Sequence, residues 1–147
     1  MNNLTIYDNN TYTVFKNYSS EEINTHFAVM TNDGFKGVIS NNNISNEDKF
    51  KIYIHVIKNS QLIDPQSAVI LYEYMSGLSK DQIDEVSKLP INQYLFFKYL
   101  PTIELIEKYF NHDSKLNKIN GINSNTLISK EERTNFINKI INYLKIN

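Results

Sequence analysis

Helix-capping residues recur at short intervals through the second half of the chain. Asp64 precedes a proline, Ser79 precedes a short amphipathic run, Pro101 and Thr102 open another segment, and Ser129 begins a capping box. Such residues pair with the backbone N–H groups that the start of a helix leaves without partners. Their spacing predicts a series of short helices separated by turns.

The apolar residues of these segments recur at helical spacing. In the helix after Asp64 the stripe contains Val69, Tyr72 and Met75, and Gly77 ends the segment. The following residues are the densest apolar stretch of the chain: Tyr94, Phe96, Phe97, Tyr99, Ile103, Ile106 and Phe110. We expect this stretch to supply most of the core.

The segment that begins at Ser129 has an apolar stripe broad enough to need a partner surface. The stripe consists of Phe136, Ile137, Ile140, Ile141 and Leu144. Such a helix either closes the core of its own chain or docks to another chain, and core closure is the commoner use in small proteins.

The first 44 residues have the composition of strands. Two β-branched and aromatic runs, 4–7 and 12–15, flank turn formers at 8–10. A second pair, 26–30 and 35–39, flanks Asn32-Asp33-Gly34, and Asp-Gly is favoured in tight hairpin turns. These patterns predict two antiparallel β-hairpins.

Two further segments are less clearly patterned. Residues 46–58 fit strand alternation as well as helical spacing, but Ser45 at the start and Lys58 at the end favour a helix. Residues 111–128 are polar and interrupted by Asn120-Gly121, which predicts a loop.

We therefore predict a single domain over residues 1–147 with an α+β fold. In this fold, N-terminal antiparallel β-hairpins (1–44) pack on a mainly helical C-terminal subdomain (45–147). The length suits one core, and 41% apolar residues exclude wholesale disorder. No run approaches the roughly 18 apolar residues that span a bilayer, and the first thirty residues lack a signal-peptide pattern. We expect a cytoplasmic protein that does not bind membranes.

Residues with catalytic or metal-binding chemistry are few. The chain has no Cys, which excludes disulfides, thiolate metal sites and a cysteine nucleophile. His112-Asp113 is the only adjacent His–acid pair, and sequence neighbours do not normally face one another. His26 and His55 lie in apolar segments, where a hydrogen-bonded structural His is expected. We predict no enzyme activity, no metal and no cofactor.

The charge distribution gives little support for nucleic-acid binding. The net charge is −1; residues 1–97 carry seven Lys or Arg against eleven Asp or Glu, and residues 98–147 carry eight against five. Residues 78–100 have the rhythm of a helix-turn-helix, but the second helix offers only Lys98 and the first is acidic. Nucleic-acid binding is therefore a minor alternative, as is a small-molecule pocket lined by aromatic side chains.

Tyrosine is the residue that most favours protein recognition. Ten Tyr are more than one small core hides completely, and Tyr is enriched at protein interfaces because it is rigid and amphipathic. The alternative is that they are core aromatics with the hydroxyl at the edge. With the stripe of the last helix, the candidate interaction residues are Tyr72, Tyr94, Tyr99, Phe136, Ile140 and Leu144.

Residue usage indicates an AT-rich genome, and one local pattern resembles a phage protein family. Asn, Ile, Lys and Tyr fill 66 of 147 positions, and all four have AT-rich codons, as in many phages, large DNA viruses, low-GC bacteria and parasites. The stretch LYEYMSGLSKDQIDE at 71–85, continuing to Pro90, resembles bacteriophage tail assembly chaperones. In that family a small β-hairpin precedes the helices, and a helix ending in a Ser/Thr-Gly-Leu-Ser turn is followed by a short acidic helix. The longer β-rich start and the segment after 128 depart from the family's pattern.

The resemblance implies a protein that covers a hydrophobic partner and has no catalytic residue. We therefore expect a non-enzymatic protein-interaction protein, a phage or viral accessory factor that acts as an assembly chaperone or as an inhibitor of a host protein. Its partner would be a viral or host protein in the host cell cytoplasm, and a homo-oligomer stays open.

Overall fold

The computed structural model describes residues 32–58, 65–111 and 116–146, and all regular secondary structure in these ranges is helical. The helices are α1 (Asn32–Ile39), α2 (Asn46–Lys58), α3 (Pro65–Met75), α4 (Lys80–Ser87), α5 (Gln93–Lys98), α6 (Ile103–Phe110), α7 (Leu116–Asn123) and α8 (Lys130–Ile146). Since no strand occurs in the described ranges, the predicted α+β fold with β-hairpins is wrong. The predicted hairpin at 4–15 and the strand at 26–30 lie outside the described residues.

The chain divides into two compact units, Met1–Leu71 and Tyr72–Asn147, and the boundary falls inside α3. The described part of the first unit contains α1, α2 and the start of α3. The second unit contains the end of α3 and helices α4 to α8. The expectation that the whole chain is one domain stays a prediction.

Helix α1 replaces the strand predicted at 35–39. Phe35 and Val38 are three residues apart and are both fully buried, so they lie on one helical face. The Phe35 ring packs 5.6 Å from the ring of Tyr53 on α2, and Lys49 donates a 2.7 Å hydrogen bond to the Ile39 carbonyl at the end of α1. The apolar residues of this segment fit both the two-residue period of a strand and the 3.6-residue period of a helix, and packing on α2 favours the helix.

Helix α2 confirms the helical interpretation of residues 46–58. Ser45 caps it, since its hydroxyl oxygen accepts a 3.1 Å hydrogen bond from the Asp48 N–H. The buried residues are Ile52, Tyr53, Val56 and Ile57. These four residues lie on one face of the helix. In a strand, where side chains alternate, Ile52 and Val56 would point to one side and Tyr53 and Ile57 to the other.

Three helices of the second unit begin at caps that the sequence predicts. Ser79 forms a full capping box with Gln82 at the start of α4, and Thr102 accepts from the Leu105 N–H at the start of α6. At the start of α8, Ser129 accepts from the Glu132 N–H at 3.1 Å. These contacts explain why α3 to α6 are short, because each is followed within a few residues by a new start signal.

An edge-to-face series of aromatic rings forms the centre of the second unit. Successive ring centroids are 5.4–6.1 Å apart and the planes are steeply inclined, which is the preferred geometry for aromatic pairs. The series runs in the order Tyr109, Phe96, Phe97, Phe110 and Phe136. It joins α5, α6 and α8, so the predicted aromatic core is confirmed.

Helix α7 occupies the segment predicted as a loop. Asn120 and Gly121, which read as a turn, lie inside the helix, where Gly121 is buried against α5. Close packing between α5 and α7 therefore outweighs the poor helix propensity of this polar segment. The loop prediction for 111–128 is wrong over the length of α7.

Candidate functional site

The apolar stripe of α8 extends beyond the surface that buries it. Phe136 and Ile140 are only 8% and 7% exposed, and Phe136 contributes the last ring of the aromatic series. In the next turn Ile141 is 44% exposed and Tyr143 is 41% exposed. The helix thus closes its own core with its middle turns and presents apolar side chains to solvent near its C-terminal end, here called the α8 end and defined by Lys139, Ile141 and Tyr143.

Two more large apolar side chains are exposed on α7 and on the connection from α7 to α8. Leu116 opens α7 and is 68% exposed, and Leu127 lies between α7 and α8 and is 48% exposed. Helices α7 and α8 pack on each other. Within the described residues, the large exposed apolar side chains therefore all belong to this pair of helices and its connection.

The same pair of helices lies in a stretch rich in positive charge. Residues 114–147 contain six Lys or Arg and two Glu. The two acids, Glu131 and Glu132, are in the first turn of α8, where a negative charge complements the helix dipole. Glu132 is also used in capping, since its Oε1 accepts a 3.1 Å hydrogen bond from the Ser129 N–H. Past this turn no acid occurs in the sequence as far as residue 147.

The only Arg of the chain has a structural role in this region. The Nη1 atom of Arg133 donates hydrogen bonds of 2.6 Å to the Asn125 carbonyl and 3.1 Å to the Ile128 carbonyl. These bonds fix the connection between α7 and α8. The positive charges that remain exposed on α8 are therefore Lys side chains, of which Lys139 lies one turn before Tyr143.

A second cation–aromatic group lies on α5. The Lys98 Nζ is 5.8 Å from the centre of the Tyr94 ring and 5.5 Å from that of Tyr99. The Tyr94 hydroxyl also donates a long, 3.4 Å hydrogen bond to the Ser124 hydroxyl at the end of α7. Both rings are half-buried, and each is held in place by contacts within the second unit.

The most strongly interacting charged group is Asp84 on α4. Tyr109 donates a 2.9 Å hydrogen bond to Asp84 Oδ1, and the Nζ atoms of Lys88 and Lys108 lie 3.3 and 3.7 Å from its oxygens. The hydrogen bonds from Tyr109 and Lys88 hold the pKa of the Asp84 carboxyl below its usual value. Burial, followed by the bond to Asp84, raises the pKa of Tyr109. The Asp84 carboxylate thus links α4 to α6 and has a structural role.

The residues predicted as interaction sites fall into three groups. Tyr72, Phe136 and Ile140 are buried, and the Tyr72 hydroxyl oxygen accepts a 2.9 Å hydrogen bond from the Asn92 N–H. Tyr94 and Tyr99 are half-buried beside Lys98. The side chain of Leu144 lies outside the described part of the chain. The proposed binding role of these six residues stays a prediction.

Sequence reasoning did not select the residues that the structure exposes. Leu116 and Leu127 lay in the segment predicted as a loop, and Tyr143 was not assigned to the apolar stripe. Ile141 was recognised as part of the stripe but was not separated from Ile140. The available signal was the width of the stripe, because Ile141 lies about 100° from Ile140 around the helix, at the edge of the apolar face.

The described residues contain no group of three or more His, Asp or Glu side chains placed to hold a metal ion. None of the described helices is both long and apolar enough to cross a membrane. The His112-Asp113 pair and His26 lie outside the described residues, and His55 is a half-buried residue of α2. No known protein family, curated protein or solved structure matches this chain.

Proposed function

We propose that this chain acts without catalysis, by binding another protein through the α8 end. The observation that carries the proposal is the change along one helix from buried Phe136 and Ile140 to exposed Ile141 and Tyr143. Contiguous exposed apolar patches mark surfaces that a partner covers, and we propose that the exposed side chains near the end of α8 belong to such a patch. Tyr143 adds the rigid, amphipathic side chain that interfaces favour.

The site has a firm support, which a binding surface needs. Phe136 packs edge-to-face on Phe110 at 5.4 Å, and Arg133 bonds two carbonyls just before α8 reaches this contact. Helix α8 is thus held by its first three turns. Its last turns can be covered by a partner without any rearrangement of the core, so little ordering entropy is lost on binding.

The biological role that we propose is that of an accessory factor from a phage or a similar AT-rich viral genome, either an assembly chaperone or an inhibitor of a host protein. The residue usage and the resemblance of residues 71–90 to tail assembly chaperones support it. In that segment α3 ends at Met75, Ser79 caps α4, and α4 leads to α5. The partner is then a viral or host protein in the host cell cytoplasm.

The test compares three tagged proteins used as bait in lysate of infected host cells, with nuclease present. They are the wild type, Ile141→Asp and the control Asn142→Asp, which adds the same charge at the adjacent exposed position of α8. We expect a stoichiometric protein that the wild type and Asn142→Asp retain and Ile141→Asp loses. Circular dichroism melting checks that all three are folded. Equal retention by Ile141→Asp, or no retained protein with the wild type, contradicts the proposal.

A further inference from the structure

We propose that Asn120 is a site of spontaneous deamidation, and that the contact between α5 and α7 protects it from this reaction in the folded chain. The reaction is a hydrolysis whose second reactant is water. Asn120 is exposed on α7 and is followed by Gly121, and this is the only Asn-Gly pair in the sequence. The inference is independent of the proposed function, because it involves neither the α8 end nor a partner protein.

Deamidation starts with an attack by the chain on its own side chain. The Gly121 backbone nitrogen gives up its proton to a base in solution and bonds to the Asn120 Cγ. The bond from Cγ to the side-chain nitrogen breaks, and this nitrogen takes up a proton and leaves as ammonia. Water then opens the five-membered succinimide at either of its two carbonyl carbons, which gives aspartate or isoaspartate. Because glycine has no side chain to obstruct the attack, Asn-Gly is the most reactive pair in an unfolded chain.

The helical conformation of α7 opposes this attack. Gly121 is the sixth residue of α7, so its N–H lies beyond the first four and bonds within the helix. Ring closure also requires the Asn120 backbone to rotate away from helical angles, which breaks α7 between Asn120 and Gly121. The Ser124 N–H donates hydrogen bonds of 3.1 Å to the Asn120 and Gly121 carbonyls, and the same rotation would break them.

Contacts with α5 keep α7 in this conformation. A helix of eight residues is unstable in water by itself, so α7 depends on packing. Gly121 is buried against the Tyr94 backbone, and Asn125, just past α7, is buried and donates hydrogen bonds of 2.9 and 2.8 Å to two carbonyls at the end of α5. The absence of a β-carbon at Gly121 therefore allows the protecting contact and also makes the pair reactive once α7 separates from α5.

The isoaspartate product is not able to restore this contact. Isoaspartate continues the chain through its side chain and adds a methylene to the backbone, which displaces the following residues of α7 relative to α5. Gly121 has no room for such a displacement, because it already lies against backbone atoms. Aspartate has a milder effect, since the side chain of residue 120 is exposed. Separation of α7 from α5 thus leads to a permanent change in the molecules that form isoaspartate.

The experiment follows the peptide that contains Asn120 by mass spectrometry, with fragmentation that separates aspartate from isoaspartate. Wild type, Asn125→Ala and Val56→Ala are each incubated folded in mildly alkaline buffer and unfolded in urea. Val56 is buried on α2 in the other unit, so Val56→Ala lowers stability away from α7 and serves as the control. Circular dichroism melting checks that the three proteins are folded in buffer.

In urea the three proteins should react at one rate, because neither substitution changes the Asn-Gly pair. We expect the folded wild type to react about a hundredfold more slowly than the unfolded chain, since only molecules with α7 open react. Folded Asn125→Ala should react about tenfold faster than the folded wild type, and Val56→Ala should react like the wild type. In the wild type alone, low urea should speed hydrogen exchange of the Gly121 N–H and loss of Asn120 in parallel, which tests the proposal even if Asn125→Ala does not fold.

Three results would overturn the proposal. Equal rates for folded and unfolded wild type would show that α7 does not protect Asn120. Equal acceleration by Asn125→Ala and Val56→Ala would show that global unfolding, rather than separation of α7 from α5, exposes the pair. The purified isoaspartate form should unfold at lower urea than Asn120→Asp, which controls for the new charge. Equal unfolding midpoints for these two forms would show that the product does restore the contact.

Discussion

Gly121 on α7 packs so closely against the backbone of Tyr94 on α5 that a β-carbon at this position would overlap the Tyr94 carbonyl oxygen. The same β-carbon would lie 3.2 Å from the Tyr94 carbonyl carbon and 3.1 Å from the Phe97 Cβ. The two helices therefore meet at a point where one of them has no side chain. This close approach places Asn125, just past α7, within reach of the carbonyls that end α5.

The first prediction concerns this contact. Gly121→Ala introduces a methyl group against backbone atoms, which cannot rotate away, so α5 and α7 must separate. We expect the free energy of unfolding to fall by about 1 to 3 kcal/mol, as for other overpacked sites. Alanine has a higher helix propensity than glycine, so without the steric clash the substitution would raise the free energy of unfolding. A decrease therefore identifies the clash as the cause. Urea denaturation measures the change.

Gly77→Ala is the control for Gly121→Ala. Gly77 is exposed after α3, and a β-carbon there would meet only the Tyr74 carbonyl oxygen, at an ordinary 3.7 Å. The stability of Gly77→Ala should equal or slightly exceed that of the wild type, because alanine restricts the conformations of the unfolded chain. Equal destabilisation by the two substitutions would mean that the contact with Tyr94 is not the cause.

The parts of the fold that local chemistry decides could be predicted from the sequence. Ser79, Thr102 and Ser129 cap helices through their own nearby N–H groups, and such bonds need no information from distant residues. The same is true of α2, where Ser45 identifies the helix start. The helical order from residue 46 to 110 was accordingly predicted well.

The parts of the fold that depend on tertiary contacts could not be predicted from the sequence. Phe35 is helical because of its packing on Tyr53, and Gly121 is helical because it meets Tyr94, and both partners are far away in sequence. The candidate site has the same character. Ile140 and Ile141 are identical residues on one stripe, and only the packed structure shows that one is buried and the other is exposed.

The second prediction concerns Asn125, a fully buried polar residue. Its side-chain amide donates hydrogen bonds of 2.9 and 2.8 Å to the Phe97 and Leu100 carbonyls, and its Oδ1 accepts one of 2.8 Å from the Leu127 N–H. Asn125→Ala leaves the buried Phe97 and Leu100 carbonyls without these bonds, and it removes the acceptor of the part-buried Leu127 N–H. We expect a loss of at least about 2 kcal/mol in unfolding free energy, measured by urea denaturation.

The control for Asn125→Ala is Asn123→Ala, which removes the same side chain from an exposed position at the end of α7. We expect it to change stability by less than about 0.5 kcal/mol. A comparable loss in both variants would contradict the importance of the bonds to α5.

The third prediction concerns the capping box of α4. Ser79 accepts a 3.2 Å hydrogen bond from the Gln82 N–H, and the Gln82 side chain accepts a 3.0 Å bond from the Ser79 N–H. Ser79→Ala removes the first bond and should cost about 1 kcal/mol. Ser79→Asp keeps an acceptor and adds a charge that suits the helix dipole, so its stability should return to that of the wild type. Thermal melting of the two variants tests this order, and an equal loss in both would contradict it.

The fourth prediction concerns the pH dependence that Asp84 confers. The folded protein holds the pKa of Asp84 below its unfolded value, chiefly through the bond from Tyr109 and then through Lys88. Its contribution to stability is therefore present above the unfolded pKa of about 3.9 and is lost as the pH falls through the lower folded pKa. In Tyr109→Phe the folded pKa should rise towards the usual value, which NMR titration of the Asp84 carboxyl carbon measures directly.

Tyr99→Phe removes a hydroxyl from another half-buried tyrosine of the second unit and serves as the control. Because Tyr109 is the tyrosine that bonds Asp84, the Tyr99→Phe variant should titrate like the wild type at Asp84. Lys108→Met should raise the Asp84 pKa less than Tyr109→Phe does, since Lys108 lies 3.7 Å away and acts through its charge alone. An Asp84 pKa that stays the same in wild type and Tyr109→Phe would show that the Tyr109 hydroxyl does not stabilise the carboxylate.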